Sequence, residues 1–432
     1  MGTTVFGRGA RLLVSGTLCF LASAPVFAGT QKLALPQVVE VSLQNNGDLK
    51  SFREEKGIRD AGKVRARLLP NPTLDFEAGT GALTGSSAEN NLSLGMSQEF
   101  LLAGKREKRL TIAERELEMY RWQLADRERL LREEVKTAFY AVILAEQRIS
   151  LADHSITLNR QLLDVTKERL AAGDIPELEM NLVKVELARG EGARIDVEKT
   201  LNRSQSGLLM LMGLSPGEYP AIVGVLETQT AMTKTLADLK QLAQGNRPDL
   251  KALEAEKSRG EADITLAQAE AVPNLTAGLA LRRDTTAIEV GGIEGKDTAY
   301  TIGLKLSMPI PLFDRNQAGI QEASAKRSSS ESRLIAAIRN AEREVETAYA
   351  SLQNAEKILS LYKSNIIPQL EENLQLTQEA YRLGEVGILA VIQEQKKFFE
   401  VSESYLLTLH DRQAALVKLE SAVATELTGG VQ

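Results

Sequence analysis

The sequence EVKTAFYAVILAEQRISL at positions 134–151 returns as EVETAYASLQNAEKILSL at positions 344–361. Eight of the 18 positions are identical without a gap, and the two copies lie 210 residues apart. The match extends outward: GDLK at 47–50 corresponds to PDLK at 248–251, Pro70-Asn71 to Pro273-Asn274, and Gly173 to Gly384. A unit of about 200 residues has therefore been duplicated, and we expect a fold made of two copies of one unit.

The composition indicates long helices. Aromatic residues make up only 4% of the 432 residues, while Ala, Leu, Glu, Gln, Lys and Arg dominate the middle stretches. Such a composition is typical of coiled coils rather than of ordinary globular cores. The net charge of −6 is only mildly acidic, so no nucleic-acid partner is expected.

Residues 1–28 are predicted to be a secretory signal peptide. Arg8 and Arg11 precede the apolar stretch Leu12–Leu21, which is too short to cross a bilayer as a helix, and Ala28 offers a small residue for cleavage. The only cysteine, Cys19, lies inside this segment, so no disulfide is expected in the mature chain. After the signal no stretch of 18 apolar residues exists, which argues against a transmembrane helix but leaves transmembrane strands possible.

Two helical hairpins are predicted, one in each copy. Residues 105–172 contain neither Gly nor Pro, and apolar residues recur at steps of three and four along them. As a single helix this stretch would be about 100 Å long. Gly173 can cap that helix and Pro176 can begin the next, so the first hairpin is expected over 105–212. The second is expected over 319–427, with a kink beside Pro368 and a turn at 384–387.

Strands are expected just before each hairpin, where the period of the apolar residues changes to two. Leu92, Leu94 and Met96 alternate with Ser93, Gly95 and Ser97 within the stretch 69–100, and a similar alternation occupies 274–310. Residues 80–90 are expected to form a loop, as are the polar residues 282–299. The first repeat therefore spans 29–212, a linker or equatorial region spans 213–245, and the second repeat spans 246–432.

The strands imply a membrane barrel that one chain cannot complete. Each repeat supplies two strands of about ten residues, long enough to cross a bilayer when tilted. Four strands cannot close, and their edges would leave backbone groups unpaired in lipid. Three chains would together supply twelve strands, an even number compatible with outer-membrane barrels. The predicted fold class is thus mainly α with a small transmembrane β part, in which the helical hairpins continue the barrel as a water-filled tube.

The order of strand pairs and hairpins resembles the TolC-type outer-membrane efflux protein family over essentially the whole mature chain. The segments most similar to that family are LLPNPTL at 68–74, NRPDL at 246–250, SMPIPLFDRNQAG at 307–319, and the turns RLAAGD and YRLGEVG. The proline-rich turn after the fourth strand resembles the cobalt–zinc–cadmium resistance branch. This resemblance implies a homotrimer with a twelve-stranded barrel in outer-membrane lipid and a helical tunnel in the periplasm. It also implies a periplasmic adaptor and an inner-membrane pump of the resistance-nodulation-division type.

The resemblance places the tunnel entrance at the hairpin tips, Arg169–Glu179 and Tyr381–Gln393. It implies that the adaptor docks on tip residues from both hairpins: Arg169, Leu170, Gly173, Asp174, Arg382, Leu383, Gly384 and Glu385. It further implies constriction or gate candidates near the same turns: Glu177, Glu179, Tyr381 and Gln393.

Two of these assignments have plainer alternatives. The family often carries an acidic residue six positions after the tip glycine; Glu179 fits, but the second tip has Ala390. The constriction is then less acidic, or it uses Glu177, Glu385 or Glu394. Glu177 and Glu179 can equally be first-turn carboxylates that the helix dipole favours. Tyr381 and Arg382 either hold the second tip closed or are a packed tyrosine and a solvated arginine.

No catalytic, cofactor-binding or metal-binding constellation is predicted. His154 and His410 each lie beside an aspartate, but adjacent helical residues point in different directions, so both are expected to be surface residues. The Gly104-Lys105 pair lacks the upstream glycine of a phosphate loop and is expected to be a strand-to-helix turn. The predicted function is a passive exit duct for efflux, carrying heavy-metal cations, rather than an enzyme. The alternatives are a drug-efflux or type I secretion duct and, in another class, a coiled-coil scaffold without a pore.

Overall fold

A computed structural model describes residues 32–83, 86–215, 219–227 and 234–427. The predicted signal peptide lies outside these ranges. The first half contains α1 Leu35–Asn45, α2 Gly47–Glu54, α3 Lys56–Arg67, β1 Thr73–Thr80, β2 Asn90–Phe100, α4 Lys105–Ala172 and α5 Glu177–Met212. The second half contains α6 Leu236–Asn246, α7 Pro248–Glu270, β3 Leu275–Val290, β4 Ile293–Ser307, α8 Gln317–Leu361, α9 Ile367–Arg382 and α10 Ile388–Val423. The fold is mainly helical with one four-stranded antiparallel sheet, as predicted.

Helix α4 runs without interruption from Lys105 to Ala172, so the prediction of one 68-residue helix is confirmed. Its predicted apolar stripe is the packed face: Ala113, Leu117, Tyr120, Val135 and Val142 are all buried. Within the described ranges no helix combines the length and apolar character needed to cross a membrane.

The sheet has the order β1-β2-β3-β4 and two unlike faces. The register sets Leu74, Met96, Leu279 and Leu304 in one row and Phe76, Leu94, Leu281 and Ile302 in the next row on the same face. Thr73, Ser97, Gly278 and Lys305 form a row on the opposite face, which also carries Asp75 and Glu77. The sheet is therefore apolar on one side and polar on the other, because side chains alternate along each strand.

The polar loop predicted at 282–299 is wrong. Strand β3 continues to Val290 and β4 begins at Ile293, so only Gly291 and Gly292 separate them. Both glycines have positive φ, 64° and 82°, which is the conformation of a two-residue hairpin turn. A strand can continue through polar residues beyond its apolar part. Polar composition alone therefore does not indicate a loop here.

All four strand–helix junctions lie at one end of the sheet. At the β2–α4 junction Gly104 takes φ 67°, and buried Lys105 donates to the Val272 carbonyl at 2.6 Å and to Asn274 Oδ1 at 2.6 Å. At the β4–α8 junction Asn316 Nδ2 donates to the Ala267 carbonyl at 2.8 Å. Both junctions are thus tied to the end of α7, which fixes the helices against the sheet.

The segment that follows α5 contacts both the start of the described chain and α10. Leu33 pairs with Ile222, and buried Gln413 of α10 donates to the Leu226 carbonyl at 2.6 Å. The linker prediction for 213–245 needs correction at its end, because α6 begins at Leu236. Thr235 and Asp238 cap each other there, a local signal that starts the helix.

The NRPDL segment forms a buried ionic joint between α7, α8 and α10. The guanidinium of Arg247, 5% exposed, bonds Asp249 at 2.8 Å, Glu344 at 2.5 Å and the Ala422 carbonyl at 3.5 Å. Burial by itself would raise the pKa of the Asp249 carboxyl, but the hydrogen bonds from Arg247 outweigh it and hold that pKa below its usual range. This arrangement gives the motif a structural role.

Only the second hairpin is interrupted. A π-helical turn, Tyr362–Ile366, separates α8 from α9, and Pro368 lies in the first turn of α9. The interruption lies at the position where a kink beside Pro368 is predicted. Proline cannot donate a backbone hydrogen bond and clashes with the preceding turn, so the helix widens locally before it.

Candidate functional site: the tips of the helical hairpins

The two hairpin tips are built in the same way. In the first, Gly173 takes φ 82° and the Asp174 N–H donates to the Arg169 carbonyl at 3.0 Å. In the second, Gly384 takes φ 79° and the Glu385 N–H donates to the Ala380 carbonyl at 2.8 Å. Each helix thus ends in a glycine cap that satisfies its last carbonyls, and the chain reverses within a few residues.

Four residues connect the two tips, and we call them the tip cluster: Thr166 and Arg169 of α4, Glu179 of α5 and Tyr381 of α9. Arg169 Nη1 donates to the Tyr381 carbonyl at 2.8 Å, and its guanidinium lies 4.7 Å from the centre of the Tyr381 ring. The Tyr381 hydroxyl lies 3.4 Å from both Thr166 Oγ1 and Glu179 Oε2. Arg169 therefore makes the strong connection, while the hydroxyl contacts are long and weak.

The Tyr381 hydroxyl has one proton for two acceptors. Thr166 Oγ1 already donates to the Leu162 carbonyl at 2.7 Å, so its proton is committed. The phenol must then donate either to Thr166 or to the Glu179 carboxylate, and it cannot serve both. Burial is the main cause that raises the pKa of Tyr381, so the phenol stays protonated and remains a donor.

The tip cluster lies over a small apolar core. Tyr381, 1% exposed, packs with Leu162, Val183, Ile388, Val391 and Ile392, so that four helices including its own contribute to this core. Tyr381 is thus packed and also contacts polar groups of the first hairpin, and its role in holding the tip closed stays a prediction. Arg382 is exposed and lies 4.0 Å from Glu379 on its own helix, as expected for a solvated arginine.

The structure separates the predicted docking residues into two groups. Exposed residues surround both turns: Gly173, Asp174, Arg382, Leu383, Gly384 and Glu385. Arg169 and Leu170 are only half-buried, and Arg169 is engaged with Tyr381. Arg169 therefore belongs to the contact between hairpins in this structure, which its position in the sequence did not indicate.

The constriction candidates also differ from one another. Glu179 is half-buried beside Tyr381, whereas Glu177 and Gln393 are exposed. Ala390, which replaces the acidic residue in the second tip, is half-buried. Glu394 is half-buried, and its Oε2 has no hydrogen-bond partner within the described ranges.

Three residues at the tips were missed by sequence reasoning: Thr166, Leu178 and Leu389. Leu178 and Leu389 are 66% and 58% exposed, and each lies five residues after its tip glycine. That matched spacing in the two repeats was a usable signal. Thr166 carried no comparable signal, because its relation to Tyr381 exists only in the folded chain.

The histidines do not form a site. His154 is exposed and lies near the edges of the Phe398 and Phe399 rings. His410 is less exposed than predicted: its side chain is only 20% exposed, and its Nε2 is buried without a hydrogen-bond partner among the described residues. Among the described residues no group of three His, Cys, Asp or Glu could hold a metal ion.

Comparison with known proteins identifies the family. The model of the family named outer membrane efflux protein matches residues 38–214 and 239–425, one stretch in each half of the chain. The chain belongs to this family. It is an outer-membrane efflux channel, so the resemblance drawn from the repeats and turns is confirmed.

One similar relative is the cobalt-zinc-cadmium resistance protein CzcC of Cupriavidus metallidurans, 24% identical over 376 residues, or 87% of this chain and 86% of that protein. A solved structure of the transmembrane channel protein CusC is similar to this chain. The TM-score is 0.75 at 20% identity, over 90% of this chain and 91% of that one. The open state of the Neisseria gonorrhoeae MtrE outer membrane channel matches with TM-score 0.71 at 18% identity over 92% and 90% of the two chains. These structures share the fold.

Proposed function

We propose that this chain is the outer-membrane exit duct of a tripartite efflux system and that three copies form the duct. The observation that carries the proposal is the sheet. It has one apolar face, one polar face and two open edge strands, and long helical hairpins leave it from one end.

The open edges require partners in lipid. Strands β1 and β4 lie at opposite edges of the sheet and run antiparallel to each other. In a bilayer their unpaired N–H and C=O groups would each cost several kcal/mol. Joining β1 of one chain to β4 of the next removes every edge and preserves the antiparallel order. Three copies then enclose a lumen lined by the polar face.

The hairpin tips are the proposed docking surface for a periplasmic adaptor. The exposed glycine turns lie far from the sheet, at the opposite end of the long helices. Exposed Leu178, Leu383 and Leu389 add apolar surface there, beside Asp174 and Glu385. Exposed leucines around a turn have no evident use within the chain, and they suit the helical tip of a partner.

The tip cluster is the proposed closure of the duct. Arg169 and Tyr381 fasten the second hairpin to the first, and the hairpins must separate if the entrance is to widen. The weak hydroxyl contacts to Thr166 and Glu179 can be exchanged at low cost, as a reversible closure requires. Glu179 is then the carboxylate closest to the closing contact.

Heavy-metal cations are the proposed cargo, delivered by an inner-membrane pump of the resistance-nodulation-division type. Support comes from the relative CzcC, which is named as a cobalt-zinc-cadmium resistance protein. Its sequence match covers most of this chain. Drug efflux and type I secretion are the competing cargo classes. Because a duct passes its cargo without holding it, the lack of a metal cluster among the described residues is compatible with this role.

Deletion and complementation in the source organism tests the proposal. We expect the deletion strain to accumulate cobalt, zinc or cadmium, measured by elemental mass spectrometry, and the wild-type gene to restore export. A strain with normal metal content but increased drug accumulation would favour the drug duct. Extraction of the protein from envelopes by urea without detergent would instead favour the scaffold.

A further inference from the structure

The internal repeat predicts how β4 of one chain pairs with β1 of the next. Strand β3 corresponds to β1 with an offset of 203 residues, set by Pro273-Asn274 and Pro70-Asn71, and β4 corresponds to β2 with the helical offset of 210. The observed registers test these offsets: the pair Thr73–Ser97 becomes Thr276–Ser307, which is the pair present between β3 and β4. The two repeats therefore use one register.

The same offsets can be applied to the contact between the repeats. Strand β2 pairs with β3 within the chain, so the corresponding contact joins β4 to β1 of the next copy. The pair Gly95–Ala280 becomes Lys305–Glu77, and Met96–Leu279 becomes Leu306–Phe76. We call this predicted β4–β1 junction the seam.

The seam predicted in this way has consistent chemistry on both faces. Leu306 and Phe76, exposed by 63% and 68% in the single chain, meet on the apolar face. Lys305 and Glu77 meet on the polar face, with Ser307 opposite Asp75 beside them. Within the described part of the chain neither Lys305 nor Glu77 has an ion-pair partner, so both charges are available for a neighbour.

We propose that Lys305 forms an ion pair with Glu77 of the adjacent copy inside the barrel lumen and that this pair fixes the register of the seam. The inference rests on the proposed assembly of several copies into one barrel. The binding partner is thus a second copy of this chain, recognised by complementary charges on two open strand edges.

Barrel geometry agrees with this register. Within one chain Thr73 and Lys305 share a row, whereas the seam sets Lys305 opposite Glu77, four residues further along β1. Each chain shifts the register by four residues, so three chains give a shear number of about twelve for twelve strands. The ratio of shear number to strand number is then one, as in the eight-stranded barrel of shear eight, whose strands tilt about 36°. That tilt lies in the range of outer-membrane barrels.

A slip of two residues would keep each face toward the same side but would lose the charge match. One such slip sets Lys305 opposite Gly79, which offers no charge. The other sets it opposite Asp75, whose carboxylate already accepts from Ser97 Oγ at 3.3 Å. Glu77 is therefore the favoured partner.

Disulfide cross-linking of envelopes tests the register. We expect the pair Glu77→Cys with Lys305→Cys to yield covalent dimers and trimers on non-reducing gels. Residues directly opposite in a sheet lie within disulfide reach, whereas diagonal pairs about 7–8 Å apart do not. The matched controls, Glu77→Cys with Gly303→Cys and Glu77→Cys with Ser307→Cys, should stay largely uncross-linked. Because β1 and β4 lie at opposite edges of one sheet, a link within a chain is excluded, and Cys19 lies in the predicted signal peptide.

Charge reversal tests the ion pair itself. We expect Glu77→Lys and Lys305→Glu each to reduce the fraction of detergent-resistant trimer several-fold, and the double variant to recover it. Preferential cross-linking of either control pair in an intact trimer would overturn the register and leave the proposed duct standing. Loss in the double variant as large as the combined losses of the single variants would overturn the ion pair. A wild-type chain without any detergent-resistant oligomer would overturn the duct as well.

Discussion

At the residue scale, the proposed closure of the entrance depends on a few contacts between hairpins that are far apart in sequence. Arg169 provides one strong hydrogen bond and covers the ring of Tyr381, while the phenol makes two weak contacts. In the proposed closure, this combination of one strong and two weak contacts would hold the entrance shut at rest and let an adaptor open it with a modest force. It also makes the energetic effects of single substitutions predictable.

Tyr381→Phe should raise the conductance of the purified protein in planar bilayers. The phenol contacts are long, so their loss costs about 0.5 kcal/mol per chain, at the low end for a hydrogen bond. If the tip clusters of the three chains open together, the loss of about 1.5 kcal/mol per trimer raises the open population roughly tenfold. Tyr405→Phe, a matched change on α10 away from the tips, should leave the conductance unchanged. Equal conductance of Tyr381→Phe and wild type would remove the phenol from the closure.

Arg169→Ala should have a larger effect than Tyr381→Phe. It removes a hydrogen bond from a charged donor, a contact of about 1.5–3 kcal/mol, and uncovers the Tyr381 ring. Arg382→Ala is the control, because Arg382 is exposed and has only a long contact with Glu379. Single-channel recording should show frequent openings in the first variant and wild-type gating in the second. The reverse order would assign the closure to the tip surface.

Glu179→Gln should reduce the preference of the channel for cations. The side chain keeps its shape but loses the carboxylate nearest the proposed closing contact, whereas Glu177→Gln alters an exposed carboxylate in the same turn. Reversal potentials in asymmetric potassium chloride measure the preference. Unchanged reversal potentials in both variants would support the plainer interpretation of first-turn carboxylates favoured by the helix dipole.

The sequence predicted the Tyr381 site only in part. Its place beside the second tip turn suggested a gate residue, and the tip glycines were found from the repeat. The identity of its partners was not predictable, because Arg169 and Thr166 lie over 200 residues away and no local pattern encodes that contact. For the same reason the contact of Arg169 with Tyr381 could not be predicted, and its part in adaptor docking stays a prediction.

At the element scale, the glycine turns are expected to shape the docking surface. Gly173→Val forces a β-branched residue into the left-handed region at φ 82°, a strain of about 1–2 kcal/mol. A Cβ at this position would meet nothing within 4 Å, so the strain acts on the turn alone. We expect weaker binding of the adaptor, measured with purified partners, and an intact trimer. Gly192→Val, on the open surface of α5, is the matched control.

Gly384→Val should combine two effects. Its φ of 79° gives the same strain, but its Cβ would also lie 3.4 Å from Arg169 Nη2. The variant should therefore bind the adaptor weakly and also show raised conductance, which Gly173→Val should not. Full adaptor binding by both glycine variants would contradict the docking assignment.

The elements themselves were largely predictable, and the failures have physical causes. Helix α4 followed from an uninterrupted apolar period and the absence of breakers. The polar half of the β3–β4 hairpin was mistaken for a loop, because outside the lipid a strand needs no apolar face. The π-helical turn before Pro368 could be located but not described, since proline disrupts a helix in several ways.

At the scale of the whole molecule, the proposed assembly follows from the need to pair every strand edge in lipid. The four-stranded sheet has an exposed apolar face and two unpaired edges, which no part of the same chain covers within the described ranges. In the proposed assembly the repeat supplies a register for closing those edges, and the helices continue the closed wall away from the membrane. A duct built in this way exists only as an oligomer.

The mass of the detergent-extracted protein tests this claim most directly. Native mass spectrometry of the mature wild-type chain should give a single species of three copies, stable until the detergent is removed. A monomer that stays monodisperse in detergent-free buffer would contradict the closed barrel, and with it the duct.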